Sequence, residues 1–216
     1  METRIGFGYD SHVFKPGVPL RIGGVALDHP EGLAGHSDGD VLLHAVTDAL
    51  LGSIAAGDIG SFFPPSDPRW KNANSAIFLN LAQETLQRAG YRIVNIDTTL
   101  ILAKPKIGPV SGEMRARVAE LLGLGTDQVS IKAKTPEGLN LDHVAQCHAI
   151  ALVERVIEPE DLKRMSAVIE SQRQLEDVVE DLLSTVHGVP KKRGSQDYVP
   201  EEIPQGREQE FRKQLR

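Results

Sequence analysis

GHSDGDVLLHAVTDALLG, residues 35–52, is the stretch on which the reading of this chain turns. Its first six positions are small or polar. From there Val41, Leu42, Ala45, Val46, Ala49 and Leu50 recur at helical spacing, the stripe a helix buries against a core. The spacing predicts a helix over 40–56, capped by Ser37 or Asp40 and stopped by Gly57. Upstream, RIGFGYD at 4–10 alternates Ile5, Phe7 and Tyr9 with Arg4, Gly6, Gly8 and Asp10, the period of a strand. Short β-like pieces broken by Pro and Gly follow to about position 28. Downstream, Asn74 is placed to cap a helix to Ala89, and IVNIDTTLIL at 93–102 reads as a buried strand. Ser111 is placed to cap a helix to Leu122, closed by Gly123, and 128–133 and 144–153 read as two more strands. The alternation is that of an α/β protein with helices covering a sheet.

The composition divides the chain. Of residues 1–157, 31 are charged, about a fifth; of the last 59, 23 are charged, about two fifths. A globular domain over 1–157 followed by a tail is expected, because 59 residues of that composition are too few to build a core of their own. The net charge of −6, with no basic cluster in the front part, argues against nucleic acid as a partner. One cysteine leaves no internal disulfide and fits a reducing compartment. The N-terminus lacks the apolar run of a secretory signal, and His44 and Asp48 interrupt the longest apolar stretch, so no membrane span is expected. A cytoplasmic location follows.

Chemistry-bearing residues fall in four places. Asp10 and His12, two apart in a strand, share a face, and His44 lies one turn into the 40–56 helix. One Asp and two His hold zinc with the fourth tetrahedral position open. On residue types alone, an ordinary surface Asp with two unrelated histidines is the favoured reading. The loop HSDGD at 36–40 precedes a helix whose first N–H groups attract phosphate, with His36 as a further donor; a plain capping turn is the alternative. GDIGSFFPPSDP at 57–68 is a long Gly/Pro loop of the kind that binds or covers ligands, and Asp58 there can accept from sugar hydroxyls or serve only as a turn residue. KAKTPE at 132–137 ends a strand with Lys132, Lys134, Thr135 and Glu137; Lys and Thr suit phosphate and Glu suits magnesium, or the group is an ordinary charged strand end. Lys106 in KPKIGP is either solvated or a diphosphate contact.

Taken in order, RIGFGYDSH at 4–12, IGG at 22–24, GLAGHSDGDVLLHAVTDALLG at 32–52, GDIGSFFPPSDP at 57–68, KPKIGP and KAKTPEGL resemble the 2-C-methyl-D-erythritol 2,4-cyclodiphosphate synthase family of the non-mevalonate isoprenoid pathway. The resemblance covers 1–157. It implies a mixed sheet covered by helices on one side and a homotrimer with sheets facing the centre and sites between subunits. It implies zinc on Asp10, His12 and His44, and a magnesium or manganese ion on Glu137. His36 and Thr135 match the groups that steady the transition state. Ser37 matches a phosphate contact, and Asp58, Ile59, Gly60 and Phe63 match the erythritol side. Leu102, Lys106, Lys134, Thr135, Pro136 and Glu137 match the cytidine and diphosphate pocket, so that Asp10, His12 and His36 complete the substrate contacts. The implied reaction is an internal phosphoryl transfer that releases CMP, a phosphorus–oxygen lyase activity. A metal-dependent nucleotide phosphohydrolase and a non-catalytic nucleotide-binding scaffold are the competing readings.

Three departures from the family pattern stand out. Pro65 and Ser66 replace an acidic residue and a Thr in the lid, Lys134 and Pro136 flank Thr135, and LNLDHVAQCHAIA after Gly138 lacks the arginine that lines the trimer cavity. His143, Cys147 and His148 are taken as packing residues, since neighbours in a strand point to opposite faces. Beyond 157 the resemblance says nothing. Residues 158–187 predict an amphipathic helix with Val168, Leu175 and Leu182 seven apart, either packed on its own domain or self-associating. Residues 188–216 are expected to be a disordered charged tail, its partner not identified.

Overall fold

The computed structural model describes residues 2–157 and 159–187; the expectation for 188–216 lies outside them. The chain divides into two units after Val156, and each is described by itself.

The first strand, β1 (Thr3–Pro16), is longer than its alternating start suggests. Antiparallel pairing with β7 (Val144–Arg155) along Thr3–Val13, and with β4 (Glu31–Leu33) at its end, keeps it extended past the glycines. β2 (Leu20–Ile22) and β3 (Val25–Leu27) form a separate small hairpin. β5 (Tyr91–Ile101) pairs antiparallel with β7 and parallel with β6 (Val129–Lys134). The five-stranded sheet is therefore mixed, in the order β4-β1-β7-β5-β6. The last strand in sequence sits at its centre, so the sheet is complete only when the chain has reached Arg155.

Three long helices pack with it: α1 (Val41–Ser53), α3 (Ser75–Arg88) and α4 (Ser111–Leu122). Between them lies a four-residue helix, α2 (Ile59–Phe62). α1 is buried nearly all round and lies so close to β1 that a Cβ at Gly6 or Gly8 would collide with the Ala49 or Ala45 carbonyl oxygen. β7 answers with small residues on the same face, Ala145, Cys147, Ala149 and Ala151, all fully buried.

Helix ends differ in detail from the sequence reading. Asn74 caps α3 through its side chain, and Gly123 closes α4 at φ 62°. Ser111 does not cap α4; it is the first helical residue, and its hydroxyl donates back to the Gly108 carbonyl. The 57–68 stretch is not a plain loop, because Asp58 nucleates α2 by accepting the Ser61 N–H and hydroxyl.

The other face of the sheet carries none of the helices of this first unit. Ile5 (70%), Phe7 (61%) and Val13 (51%) are exposed there, with Tyr9 and Ile150, and the His148 ring lies 5.0 Å from Tyr9 and 5.9 Å from Phe7. Cys147 is buried on the helix side, so the two neighbours do point apart. Burial pushes the Cys147 thiol far up, which leaves it inert.

In the second unit α5 runs Pro159–His187, and Val168, Leu175 and Leu182 on it are exposed. No helix among the described residues is long and apolar enough to cross a membrane.

Candidate active site

Asp10 and His12 lie in the middle of β1, not at its end, on the face that meets α1. α1 brings His44 to them. Asp10 Oδ2 is 2.9 Å from His12 Nε2 and 2.9 Å from His44 Nδ1, and the two ring nitrogens are 3.1 Å apart. One ligand atom from each residue thus lies within 4.8 Å of the others. A tetrahedral ion bound at about 2.0–2.1 Å needs donors about 3.3 Å apart, so the set fits a small N/O-liganded metal with little adjustment.

The outer ring nitrogens confirm the fit. His12 Nδ1–H donates to the Ala34 carbonyl at 2.6 Å, which directs the Nε2 lone pair inward. His44 Nε2 lies 2.8 Å from Ser75 Oγ and 3.0 Å from Ser37 Oγ, and the Ser75 hydroxyl in turn donates to Asp38. Such outer partners orient metal-binding imidazoles and raise their basicity. Burial works to raise the Asp10 carboxyl, but hydrogen bonds from the two imidazoles outweigh it and hold it well below the carboxylate range. Burial likewise works against a His12 imidazolium, and Asp10 outweighs it, raising the ring above its ordinary value.

The triad opens into a cavity of about 230 Å³ lined also by His36, Ser37, Ile59, Gly60, Phe63, Pro65, Trp70 and Phe78. Five of the sequence-predicted residues, His36, Ser37, Ile59, Gly60 and Phe63, therefore meet the metal ligands. Asp58 does not line it; its carboxylate is taken by Ser61, whose hydroxyl and N–H hold it below the carboxylate range. The start of α1 is not an open phosphate cradle either. Asp40, not Ser37, caps it, and the fully buried Asp40 carboxylate accepts N–H groups from Leu43, Gly23 and Gly24, closing that helix end while tying the β2–β3 hairpin to α1.

Trp70, Phe78 and Ser75 were not singled out from the sequence. The Phe63 ring stacks at 4.3 Å from Phe78 and meets Trp70 edge-on at 5.0 Å, forming the apolar back of the cavity. Aromatic residues in DPRW and AIFL carry no periodic signal of their own; only folding of the 63–78 segment brings them together.

A second cavity, of about 440 Å³, lies at the ends of the parallel strands β5 and β6 and is lined by Leu102, Ala103, Pro105, Lys106, Ile107, Gly108, Ala133, Lys134, Thr135 and Glu137. The Leu102 N–H donates to the Lys134 carbonyl at 3.1 Å, which joins the two loops. Ligands commonly sit beyond such carboxyl ends. The Thr135 hydroxyl donates to the Glu137 carboxylate, so these two act as a pair. Pro136 lies between them in sequence but does not line the cavity. Lys132 is withdrawn from phosphate binding by an ion pair with Asp97 on the neighbouring strand. Apart from Asp58 and Pro136, the site residues read from the sequence thus fall into two separate cavities of one chain.

The YgbB family model matches residues 3–154. The 2-C-methyl-D-erythritol 2,4-cyclodiphosphate synthase of Koribacter versatilis (strain Ellin345) is 58% identical over 152 residues, covering 70% of this chain and 98% of that one. The same-named enzyme of Dechloromonas aromatica (strain RCB) is 50% identical over 159 residues, 72% of this chain and 99% of its own. Among solved structures, a 2C-methyl-D-erythritol-2,4-cyclodiphosphate synthase in its CDP-bound form is similar at TM-score 0.67 and 38% identity, covering 70% of this chain and all of its own. IspF of Plasmodium falciparum in complex with CDP is similar at TM-score 0.64 and 32% identity, covering 72% and 97%. Residues 3–154 cover most of the unit that holds both cavities, and over them the chain belongs to the YgbB family, that of these synthases.

Proposed function

We propose that the chain converts 4-diphosphocytidyl-2-C-methyl-D-erythritol 2-phosphate to 2-C-methyl-D-erythritol 2,4-cyclodiphosphate and CMP. The observation that carries this is the Asp10–His12–His44 donor set, its outer nitrogens tied and its inner face open to a cavity, in a chain of this family. The reaction moves a phosphoryl group within one molecule: a 2-phosphate oxygen attacks the β-phosphorus, and the bond from that phosphorus to the CMP oxygen breaks. A phosphate is already ionised near neutrality, so no dedicated base is required, and the protein acts by folding the substrate back and offsetting charge.

Asp10, His12 and His44 would hold zinc, and Glu137 would hold magnesium or manganese, which keeps several waters and takes one carboxylate readily. When bound, these ions polarise phosphoryl oxygens and offset charge on the departing CMP. His36 and Ser37 face the substrate beside the triad, and Ile59, Gly60 and Phe63 form the wall for the erythritol part. Lys106 and Lys134 supply positive charge to the diphosphate, Leu102 packs against the base, and the Thr135 hydroxyl is aimed by Glu137.

We infer further that the working form is a homotrimer, with sheets facing the centre and each site shared by neighbours, in the cytoplasm. Two observations support this. The metal-side and nucleotide-side residues line different cavities of one chain, and the sheet face opposite α1 exposes the large apolar side chains Ile5, Phe7 and Val13 together, a cluster of the kind that marks an interface. The assay is direct: protein loaded with zinc and magnesium, given the cytidyl substrate, yields CMP and the cyclic diphosphate in equal amounts by phosphorus NMR. CMP with an acyclic phosphate would make it a hydrolase, and no CMP would remove the enzyme reading.

A further inference from the structure

The wall of the metal cavity at Ile59, Gly60 and Phe63 is carried by α2 and the residue that ends it. α2 is four residues long with no fully buried side chain; Phe62 packs partly buried against the core, and the buried Phe63 holds its C-terminal end against Phe78. The connector leading into it turns through two left-handed residues, Ala55 at φ 56° and Gly57 at φ 99°, so the chain folds back beside α1. Asp58 caps α2 from within and reaches only Ser61, so that cap does not attach the element to anything else. At its N-terminal end, away from that packing, the attachment comes from Asp48. It lies one turn beyond His44 on α1, is half-buried, and its Oδ1 accepts the Ile59 N–H at 2.7 Å across eleven residues of chain. Among the described residues that is the only hydrogen bond the Asp48 side chain makes, and Asp48 is not one of the metal triad.

We propose that Asp48 is a positioning residue: its carboxylate fixes α2 to the helix that bears His44, so that the substrate-facing wall and the metal ligand keep one spacing. A hydrogen bond to a charged acceptor is stronger than a neutral one, and here it fixes the N-terminal end of α2 while Phe62 and Phe63 pack its C-terminal end. A wall ordered before binding need not be ordered by the substrate, and pre-organisation of that kind appears in affinity. Loss of the bond should therefore raise KM while leaving the chemistry of bound substrate almost unchanged. The kinetic part of this inference rests on the cyclisation reading; the structural part does not.

The test uses the full-length, zinc- and magnesium-loaded protein and two variants. Asp48→Ala removes the acceptor, and Asp48→Asn keeps an oxygen at the same reach without the charge. Amide hydrogen exchange, measured without substrate, should quicken at 58–63 in Asp48→Ala and return most of the way in Asp48→Asn, with α1 unchanged. Asp48→Ala should raise KM about tenfold or more, keep kcat within about threefold and retain its zinc, while Asp48→Asn recovers most of KM. Unchanged exchange at 58–63 overturns the proposal, as does an equal loss of kcat or of zinc in both variants. Wild-type protein with no turnover would end the cyclisation reading while the exchange result still decides the tether. Should Asp48→Ala fail to fold, Asp48→Asn carries the test, its exchange falling between wild type and the free-segment rate.

Discussion

His44 is held from both sides, with Asp10 at 2.9 Å on Nδ1 and Ser75 at 2.8 Å on Nε2. Of these contacts the sequence made the inner one legible, because Asp10 and His12 alternate in a strand and His44 stands early on an apolar helix. Ser75 was not legible: it lies 31 residues away and follows an ordinary helix cap. Ser75→Ala should fold normally yet bind zinc about 10–100-fold more weakly, measured by competition with a chromophoric chelator; unchanged affinity would show that Ser37 alone orients the ring. The acid–base balance of the metal-free site gives a second expectation. Asp10 is lowered, so the stability it adds is present above the ordinary carboxylate pKa and is lost as pH falls through its depressed value. His12 is raised, so its share is present below the ordinary imidazole pKa and is lost as pH rises through the raised value. In chelator, the stability difference between wild type and Asp10→Asn should be greatest between about pH 4 and 6.5 and shrink above it. A difference that does not vary with pH would mean the pair contributes no linkage.

At the scale of elements, long periodic segments were read well, and the places where reading failed share a cause. The strand, helix and Gly123 signals are local, so α1, α3, α4 and β5–β7 fall close to where spacing put them. β1 runs on to Pro16 because β4 and β7 pair with it, a long-range effect that alternation over seven residues cannot carry. α2 escaped because four residues show no period, whereas of the two caps that spacing allows, Ser37 and Asp40, the fold uses Asp40, to which the β2–β3 hairpin supplies two more N–H donors. The closeness of α1 and β1 is the feature on which the site's spacing depends. Gly8→Ala pushes a methyl into the Ala45 carbonyl, which should lower stability by about 1–3 kcal/mol or more. Thermal unfolding checks it, and an unchanged midpoint would mean that α1 can shift outward freely.

For the whole molecule, the residues read from the sequence divide between two cavities, with Asp58 and Pro136 lining neither, a division that spacing does not show because strand order and sheet faces are properties of the fold. That division and the exposed apolar side chains of the sheet are what support the proposed self-association. Phe7→Glu, on the exposed face and away from both cavities, should give monomers by sedimentation and lose turnover while each monomer stays folded. Active monomers would contradict sites shared between subunits. In the proposed cyclisation the attacking oxygen belongs to the substrate itself. A single turnover in ¹⁸O-labelled water, read by mass spectrometry, tests it most directly. Cyclic diphosphate and CMP that both carry no solvent oxygen are the expected products; an acyclic 2,4-bisphosphate carrying one solvent oxygen, released together with CMP, would mean that water, not the 2-phosphate, attacks the phosphorus.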